Sequence, residues 1–420
     1  MTSLASAPQQ QSDRSFLEVW IITIGHALTH WYPATFYILL PLIGVELGLN
    51  AAQIGMIMSA QYFAGAISNL PGGMLVDSVP RKGMLLATSL FWIGVPYFLM
   101  GFSHSYYVLL LCAALIGVGN NLWHPTAIPW LGRRFPERKG LVMAYHGMGG
   151  NVGDAFAPMV AGGLITYFAW TWRDVVFANI VPGVVMAVAI LWYLGSMSMA
   201  PKAGAKAAPT DEKQLSKGEV LRALPQLFKN QVLLFLCISS AFRSMTQNGI
   251  MVFLPLYLFE MKYSAAAVGS AMFVLQAAGF VAAPIAGYMS DKVGRGSVMM
   301  ASMVMIAIVL AAMAFMGNSP VFVFFVAALG FFLFALRPVL QAWLLDATPK
   351  NLGGSAIGAM FGIQALGSAI GPAICGVIAL KWGILSVFWF LAFTICVANL
   401  LVFAMPKSAF AKEKQPVAAE

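Results

Sequence analysis

Hydrophobic residues occur in twelve long runs along the chain, separated by short polar connections. The runs cover about residues 16–45, 52–76, 83–102, 106–132, 140–169, 174–197, 231–259, 264–290, 296–316, 320–345, 352–380 and 383–405. Each can cross the roughly 30 Å hydrocarbon core of a bilayer as a helix, which takes about 20 apolar residues. The runs are continuous rather than alternating, so they predict helices and not barrel strands. The pattern predicts an all-α integral membrane protein.

Composition agrees with a membrane location. Of 420 residues, 60% are hydrophobic and only 9% are charged, whereas soluble domains have about 25% charged residues. The four cysteines lie far apart inside apolar runs, so no CxxC metal or redox motif is present. The first fifteen residues are polar and lack the pattern of a cleaved signal peptide. These features exclude a water-soluble monomer and a disulfide-stabilised scaffold.

Basic residues set the expected orientation. Nineteen lie in the N-terminal tail, the even-numbered connections and the C-terminal tail, and only Arg173, Lys262 and Lys381 lie in connections on the opposite side. Cytoplasmic loops are enriched in Lys and Arg, so both termini are expected in the cytoplasm, with the chain in the bacterial inner membrane. The net charge of +9 is explained by this topology, and no nucleic-acid partner is expected.

The chain contains an internal repeat. A shift of 214 positions aligns Leu40-Pro41-Leu42 with Leu254-Pro255-Leu256, and a shift of 213 puts Gly117 on Gly330. Both halves run in the same direction, as in transporters with parallel repeats related by a pseudo-twofold axis. We therefore expect two six-helix bundles at 1–198 and 230–406, joined by a charged cytoplasmic linker at 199–229 and followed by a tail at 407–420.

Two repeat-equivalent loops carry a family signature. The segments from Gly73 to Arg81 and from Gly287 to Arg295 resemble the Gly-x-x-x-Asp-x-x-Gly-Arg motif of the major facilitator superfamily, although Pro80 replaces one glycine. The runs around His26, His124 and Gly149 resemble the fosmidomycin-resistance-type branch of that superfamily. The resemblance implies a secondary transporter whose helices 1, 4, 7 and 10 line a central cavity. It also implies a cytoplasmic gate, formed here by Asp77, Arg81, Asp291 and Arg295.

Ionisable side chains inside the runs are the candidate site residues, because burying such groups in a bilayer is costly and usually functional. The first half contributes His26, His30, His124, His146 and Asp154, and the second half contributes Arg243 and Arg337. His26 and His30 are four residues apart and share one helix face. His124 and Arg337 are repeat equivalents, so we expect them to face each other across the cavity.

The two arginines favour an anionic substrate. An arginine cannot lose its proton, and it pairs with carboxylate, phosphate or phosphonate oxygens through two parallel hydrogen bonds. We expect Arg243 and Arg337 to bind the substrate, with His26, His30 and His124 also in the substrate site. The alternative is a permanent structural pair between an arginine and Asp154 or backbone carbonyls.

Asp154 and His146 are the candidates for proton coupling, because burial and neighbouring charges can bring such groups into the physiological titration range. A zinc site made of the histidines is disfavoured at this stage, because arginines in the same cavity would repel a cation. We therefore expect no resident metal and no cofactor. The glycine-rich stretches lack the Lys-Ser/Thr ending of a P-loop, so ATP is not expected to drive the protein.

The sequence thus predicts a secondary active transporter that moves a small organic anion by alternating access with proton coupling. It is not expected to be an enzyme, and it is expected to act as a monomer in the lipid bilayer. Two alternatives stay open: a proton-coupled exporter of lipophilic or cationic drugs, and a membrane-embedded enzyme that uses the histidines as acid and base or as metal ligands.

Overall fold

Twelve α helices form the part of the chain that the computed structural model describes, which is residues 7–195, 229–316, 319, 321–349, 352–406 and 410. The side chains of residues 7–15, Leu70, Asp77, Asn121, Met316 and Gly354 are outside that description. The helices are α1 (Ala7–Leu47), α2 (Ala51–Ser78), α3 (Lys82–Met100), α4 (Tyr106–Arg134), α5 (Lys139–Tyr167), α6 (Trp172–Leu194), α7 (Gln231–Glu260), α8 (Ala265–Val293), α9 (Arg295–Met316), α10 (Phe322–Asp346), α11 (Gly353–Trp382) and α12 (Leu385–Phe403). The predicted all-α fold with twelve helices is confirmed.

Eight of the described helices are long and apolar enough to cross a membrane by length and hydropathy: α3, α4, α6 and α8 to α12. The other four, α1, α2, α5 and α7, are 28 to 41 residues long but contain more polar residues. Helices α1, α5 and α7 carry candidate residues of the transport site, and α2 carries the gate candidate Asp77. The chain is a multi-pass membrane protein.

The chain divides into two compact units. The first consists of Met1–Lys206 together with Leu254–Phe273, and the second of Ala207–Phe253 together with Val274–Glu420. The expected linker at 199–229 and the tail at 407–420 fall almost entirely outside the described residues, so the domain boundaries stay a prediction.

In the first unit, α1 packs along α5, α2 packs on α4, and α3 packs between α4 and α6. The indole of Trp123 is completely buried in a core with Ile22 and Leu90. Space for this indole depends on Gly25, because a Cβ atom there would lie 2.3 Å from the Trp123 ring. The core thus fixes α4 against α1, close to the candidate histidines.

Helix packing repeats between the two units. A Cβ atom on Gly153 would lie 2.1 Å from the Ala27 carbonyl oxygen, and one on Gly367 would lie 2.1 Å from the Ala241 carbonyl oxygen. Gly367 follows Gly153 by 214 positions, and Ala241 follows Ala27 by the same number. Close backbone contacts of this kind need glycine at the interface. The first helix of each half therefore meets the fifth at an equivalent point, as the internal repeat predicts.

In the second unit, α9 packs against α10 and α12, and α11 packs against α12. Gly330 of α10 meets the Leu275 carbonyl of α8, where a Cβ atom would come within 2.0 Å, and Gly117 meets the Gln61 carbonyl at the same distance in the first unit. Pro125 and Pro338 are related by the same shift as Gly117 and Gly330. They lie inside α4 and α10. This second shared contact supports the alignment that pairs His124 with Arg337.

Candidate functional site

Four histidines of the first unit form one cluster, defined here as the histidine cluster: His26 and His30 on α1, His124 on α4 and His146 on α5. The Nε2 atoms of His26 and His124 are 3.0 Å apart. The rings of His26 and His146 are stacked with centroids 3.8 Å apart, and those of His26 and His30 meet edge to face at 4.7 Å. The structure thus brings together four site residues from three helices.

The helix backbone leaves room for this cluster at Gly150 of α5. A Cβ atom at this position would lie 2.8 Å from Cε1 of His26 and 3.1 Å from Nε2 of His30. His26 donates a hydrogen bond from Nδ1 to the His146 carbonyl oxygen at 2.6 Å. His26 and His146 are both only 4% exposed, so the cluster is buried at its centre.

Asp154 belongs to the edge of the same cluster. Its Oδ2 atom lies 3.0 Å from Nδ1 of His30, and the two side chains are 28% and 29% exposed. The hydroxyl groups of Tyr37 and Tyr62 hydrogen bond to each other and lie within electrostatic range of the Asp154 carboxylate. Asp154 therefore pairs with a histidine, and the alternative pairing of Asp154 with an arginine is not among its described contacts.

Arg243 forms the centre of the candidate site in the second unit. Its side chain is 3% exposed, and it donates a hydrogen bond from an Nη atom to Oε1 of Gln247 at 2.7 Å. Its Nε atom is buried and has no hydrogen-bond partner within the described residues. Among the ion pairs that the described part of the chain forms, none contains Arg243 or Arg337. The charge of Arg243 is thus buried beside a neutral amide.

Arg337 on α10 is exposed. It lies near enough for its positive charge to repel that of Arg243. The two guanidinium groups therefore create a positively charged region within the second unit, and their role in binding a substrate stays a prediction.

A network of neutral polar side chains continues from Arg243. Ser244 of α7 and Ser368 of α11 hydrogen bond through their hydroxyl groups at 2.7 Å. The amide of Asn248 donates to Ser368 at 2.8 Å. Because Gln247 and Asn248 follow Arg243 and Ser244 by four residues, these polar groups lie along one stripe of α7. This network was not predicted from the sequence. The four-residue spacing of polar residues within the apolar run of α7 is a signal that could have indicated it.

The serine pair and the histidine–aspartate pair occupy equivalent positions. Ser244 is 214 positions after His30, and Ser368 is 214 positions after Asp154. Each pair joins the first helix of its half to the fifth, at 2.7 Å and 3.0 Å respectively. The duplicated fold therefore preserves a polar contact in both halves while its chemistry differs.

Three of the four predicted gate residues can be located with their side chains. Arg295 pairs with Asp291 at 2.5 Å and with Asp346 at 3.1 Å, and it also donates to Ser290 at 2.7 Å. Arg81 is exposed and precedes α3. Asp77 lies in α2, but its side chain is outside the described residues, so its role stays a prediction.

Two ion-pair sites in the first unit were missed by sequence analysis. Glu18, only 2% exposed, accepts two hydrogen bonds at 3.1 Å from Arg134. Glu46 pairs with Arg173. Glu18 lies near the end of a predicted span and was not counted among the buried charges. An acid and a base that pair across the fold give no sequence signal when they are far apart in the chain.

Long apolar helices that carry buried arginine and histidine and a half-buried aspartate are typical of polytopic membrane transport proteins. The family model described as Major Facilitator Superfamily matches residues 19–282 and 236–420. The chain therefore belongs to the major facilitator superfamily, and it is a membrane transporter of that family.

Relatives and solved structures agree with this family. The chain is 25% identical over 413 residues to the fosmidomycin resistance protein of Escherichia coli strain K12, covering 95% of both chains. It is 22% identical to the phosphoglycerate transporter protein of Salmonella typhimurium, covering 94% of this chain and 89% of the relative. The structure of a bacterial homolog of the human lysosomal transporter Spinster, inward-facing and unoccupied, superposes with a TM-score of 0.81 at 14% identity, covering 97% of this chain and 98% of that chain. The fold and the relatives are those of transporters.

Proposed function

We propose that this protein is a secondary active transporter that moves a small organic anion, a carboxylate, phosphonate or phosphate ester, by alternating access. The observation that carries the proposal is the buried guanidinium of Arg243. It is 3% exposed, and its described hydrogen-bond partner is the neutral side chain of Gln247.

The buried charge of Arg243 has no counter-charge among its described contacts. Burying an ion away from water costs several kcal/mol after relaxation, and only a counter-charge with good hydrogen bonds offsets that cost. The nearby positive charge of Arg337 increases the cost. A substrate carboxylate or phosphate that accepts two hydrogen bonds from a guanidinium supplies the missing counter-charge.

The surrounding side chains suit such a substrate. Ser244, Asn248 and Ser368 offer hydroxyl and amide groups that can bond to hydroxyl or additional oxygen groups of a small organic anion. The printed name of one relative, a phosphoglycerate transporter protein, is consistent with this class, since phosphoglycerate carries both a carboxylate and a phosphate.

A binding experiment tests the anion class. The probe is 3-phosphoglycerate, added to detergent-purified protein while thermal unfolding is recorded, with the lipophilic cation tetraphenylphosphonium as comparison. Bound ligand raises the unfolding temperature by mass action. We expect Arg243→Ala and Arg337→Ala each to weaken anion binding by about ten- to a hundredfold, because a hydrogen bond to a charged group contributes about 1.5–3 kcal/mol.

The matched control is Arg133→Ala, which removes an exposed arginine at the end of α4 and should leave anion binding unchanged. Helical circular dichroism and elution as a single peak verify that the variants fold. Full anion binding by Arg243→Ala would contradict the proposal. Binding of the cation in place of carboxylates, phosphate esters and phosphonates would instead favour the drug-exporter alternative.

Proton coupling is assigned to Asp154. Its carboxylate is about 28% exposed and pairs with His30, with Tyr37 and Tyr62 nearby, so it is accessible enough to exchange a proton. In proteoliposomes, an imposed pH gradient should accelerate 3-phosphoglycerate uptake by the unmodified protein but not by Asp154→Asn, which should retain exchange without a gradient. An unchanged response of Asp154→Asn to the gradient would contradict this assignment.

The proposed orientation rests on charge. We propose a monomer in the bacterial inner membrane with both termini in the cytoplasm, and the orientation is supported by the basic residues outside the spans, which are concentrated on the side of the termini. Cysteine labelling from each side, at positions introduced before α1 and after α12, tests the orientation.

A further inference from the structure

Three imidazole groups converge from three helices in the first unit. His26 comes from α1, His124 from α4 and His146 from α5, and their candidate ligand nitrogens all lie within 4.8 Å of one another. The Nε2 atoms of His26 and His124 are 3.0 Å apart. Two histidine ligands at 2.0–2.1 Å from a tetrahedral Zn2+ have nitrogens roughly 3.3 Å apart. Two of the three groups are thus already near the spacing that one metal ion requires.

The hydrogen bond of His26 prepares its ring for coordination. A carbonyl oxygen can only accept, so Nδ1 of His26 must carry the proton in its 2.6 Å bond to the His146 carbonyl. In the neutral ring, Nε2 then carries the lone pair, and Nε2 is the atom that faces His124. Histidine ligands of metals typically donate their other ring nitrogen to a carbonyl or carboxylate, which fixes the tautomer. His26 therefore already makes the hydrogen bond through Nδ1 that a metal-ligating histidine typically makes, and its Nε2 atom is left to bind the metal.

His146 needs a polar partner that the described residues do not supply. Its side chain is 4% exposed, and both ring nitrogens are buried without a hydrogen bond to any described group. Buried polar atoms in native proteins almost always have a partner. Coordination would satisfy one nitrogen after the ring tilts out of its stacking on His26, where the centroids are 3.8 Å apart.

We infer that His26, His124 and His146 form a binding site for a divalent transition-metal cation, with Zn2+ the best match. Neutral imidazole is a preferred ligand of zinc and of neighbouring transition metals, and it is a poor ligand for Mg2+ or Ca2+. Three protein ligands leave a fourth tetrahedral position for the oxygen of a water molecule or an anion.

Local charge supports a cation here. The Asp154 carboxylate pairs with His30, whose ring contacts that of His26, so a negative group lies next to the site. A zinc site was disfavoured from the sequence because arginines were expected beside the histidines. The described contacts of His26, His30 and His146 contain the other histidines and Asp154 but no arginine.

Metal titration of tag-free, detergent-purified protein tests the inference independently of the proposed substrate. Calorimetry with ZnCl2 should show one ion bound per chain, with no binding of MgCl2. Substituting Co2+ should give the visible absorption of a tetrahedral site with nitrogen and oxygen ligands. The variants His124→Gln and His146→Gln should weaken zinc binding at least about a hundredfold, since loss of even an outer-shell partner costs about 10- to 100-fold.

His104→Gln is the matched control, because His104 is an exposed histidine outside the cluster and its removal should leave zinc binding unchanged. No zinc binding by the unmodified protein would overturn the inference, as would equal binding by His104→Gln and His146→Gln. A Co2+–thiolate charge-transfer band would place the metal on a cysteine and also overturn it. If a ligand variant fails to fold, the Co2+ spectrum and stoichiometry of the unmodified protein still decide.

Discussion

The contact between α1 and α5 at Gly153 makes a quantitative prediction about the candidate site. In Gly153→Ala, the new Cβ atom would lie 2.1 Å from the Ala27 carbonyl oxygen and 3.0 Å from Cβ of His30. Ordinary contact begins at 3.4 Å, so the two helices must separate by roughly 1.3 Å. Overpacking of this kind costs about 1–3 kcal/mol. The neighbouring hydrogen bond between His30 and Asp154, now 3.0 Å long, should weaken as the helices move apart.

The assay is thermal unfolding in detergent, followed by intrinsic tryptophan fluorescence. A loss of about 1–3 kcal/mol corresponds to a fall in Tm of about 2–12 °C for a unit of about 200 residues. Gly147→Ala on the same helix is the control, because a Cβ atom there would meet nothing within 4 Å. This control should be neutral or slightly stabilising, since alanine favours helix over glycine by up to about 1 kcal/mol. Equal Tm values for the two variants would refute the packing argument.

Three further outcomes follow from the contacts. Gly367→Ala should lower Tm by an amount similar to Gly153→Ala. Gly362→Ala, where a Cβ atom meets nothing within 4 Å, should not lower it. Equal Tm values for Gly367→Ala and Gly362→Ala would contradict this prediction. Glu18→Gln should destabilise the first unit by about 1–3 kcal/mol in thermal unfolding, because its buried carboxylate accepts two charged hydrogen bonds; an unchanged Tm would contradict this. Asp346→Asn should change stability by less than about 1 kcal/mol, since its ion pair is exposed, and a fall in Tm of 5 °C or more would be inconsistent with that estimate.

The helices could be predicted from sequence because each membrane span has a clear local sequence pattern. Each span is a run of about 20 apolar residues, and the polar interruptions within such a run are costly enough to mark function. His26, Asp154 and Arg243 were therefore identifiable one by one. The internal repeat was also visible, because duplicated loops keep glycine and charged residues at fixed spacing.

The pairing of these residues was not predictable, because it depends on which helix faces which. His30 and Asp154 are 124 positions apart, and so are Ser244 and Ser368. The serines gave only a weak signal, the four-residue spacing of polar groups, since a short hydroxyl side chain in a membrane helix costs little and can bond to its own backbone. The buried acid Glu18 was missed for another reason, because it lies where a span is expected to end.

The repeat relates the two candidate sites physically. The close contacts at Gly153 and Gly367 bring the first and fifth helices of each half together at equivalent points. The next residue along the fifth helix, Asp154 or Ser368, can therefore reach a side chain of the first helix. In the second unit two short serine side chains form this contact, and Ser244 is only 6% exposed.

In the first unit the same positions carry longer side chains, and the pair of His30 and Asp154 extends to where each is about 30% exposed. A serine pair has no group that can exchange a proton with an acid or base, whereas the pair of His30 and Asp154 consists of two ionisable groups. In the second half a buried ionic group, Arg243, precedes Ser244 directly in the chain. The same helix contact therefore holds an ionisable pair in one half and a neutral pair beside a buried arginine in the other, which agrees with the proposed roles of Asp154 in proton coupling and of Arg243 in anion binding.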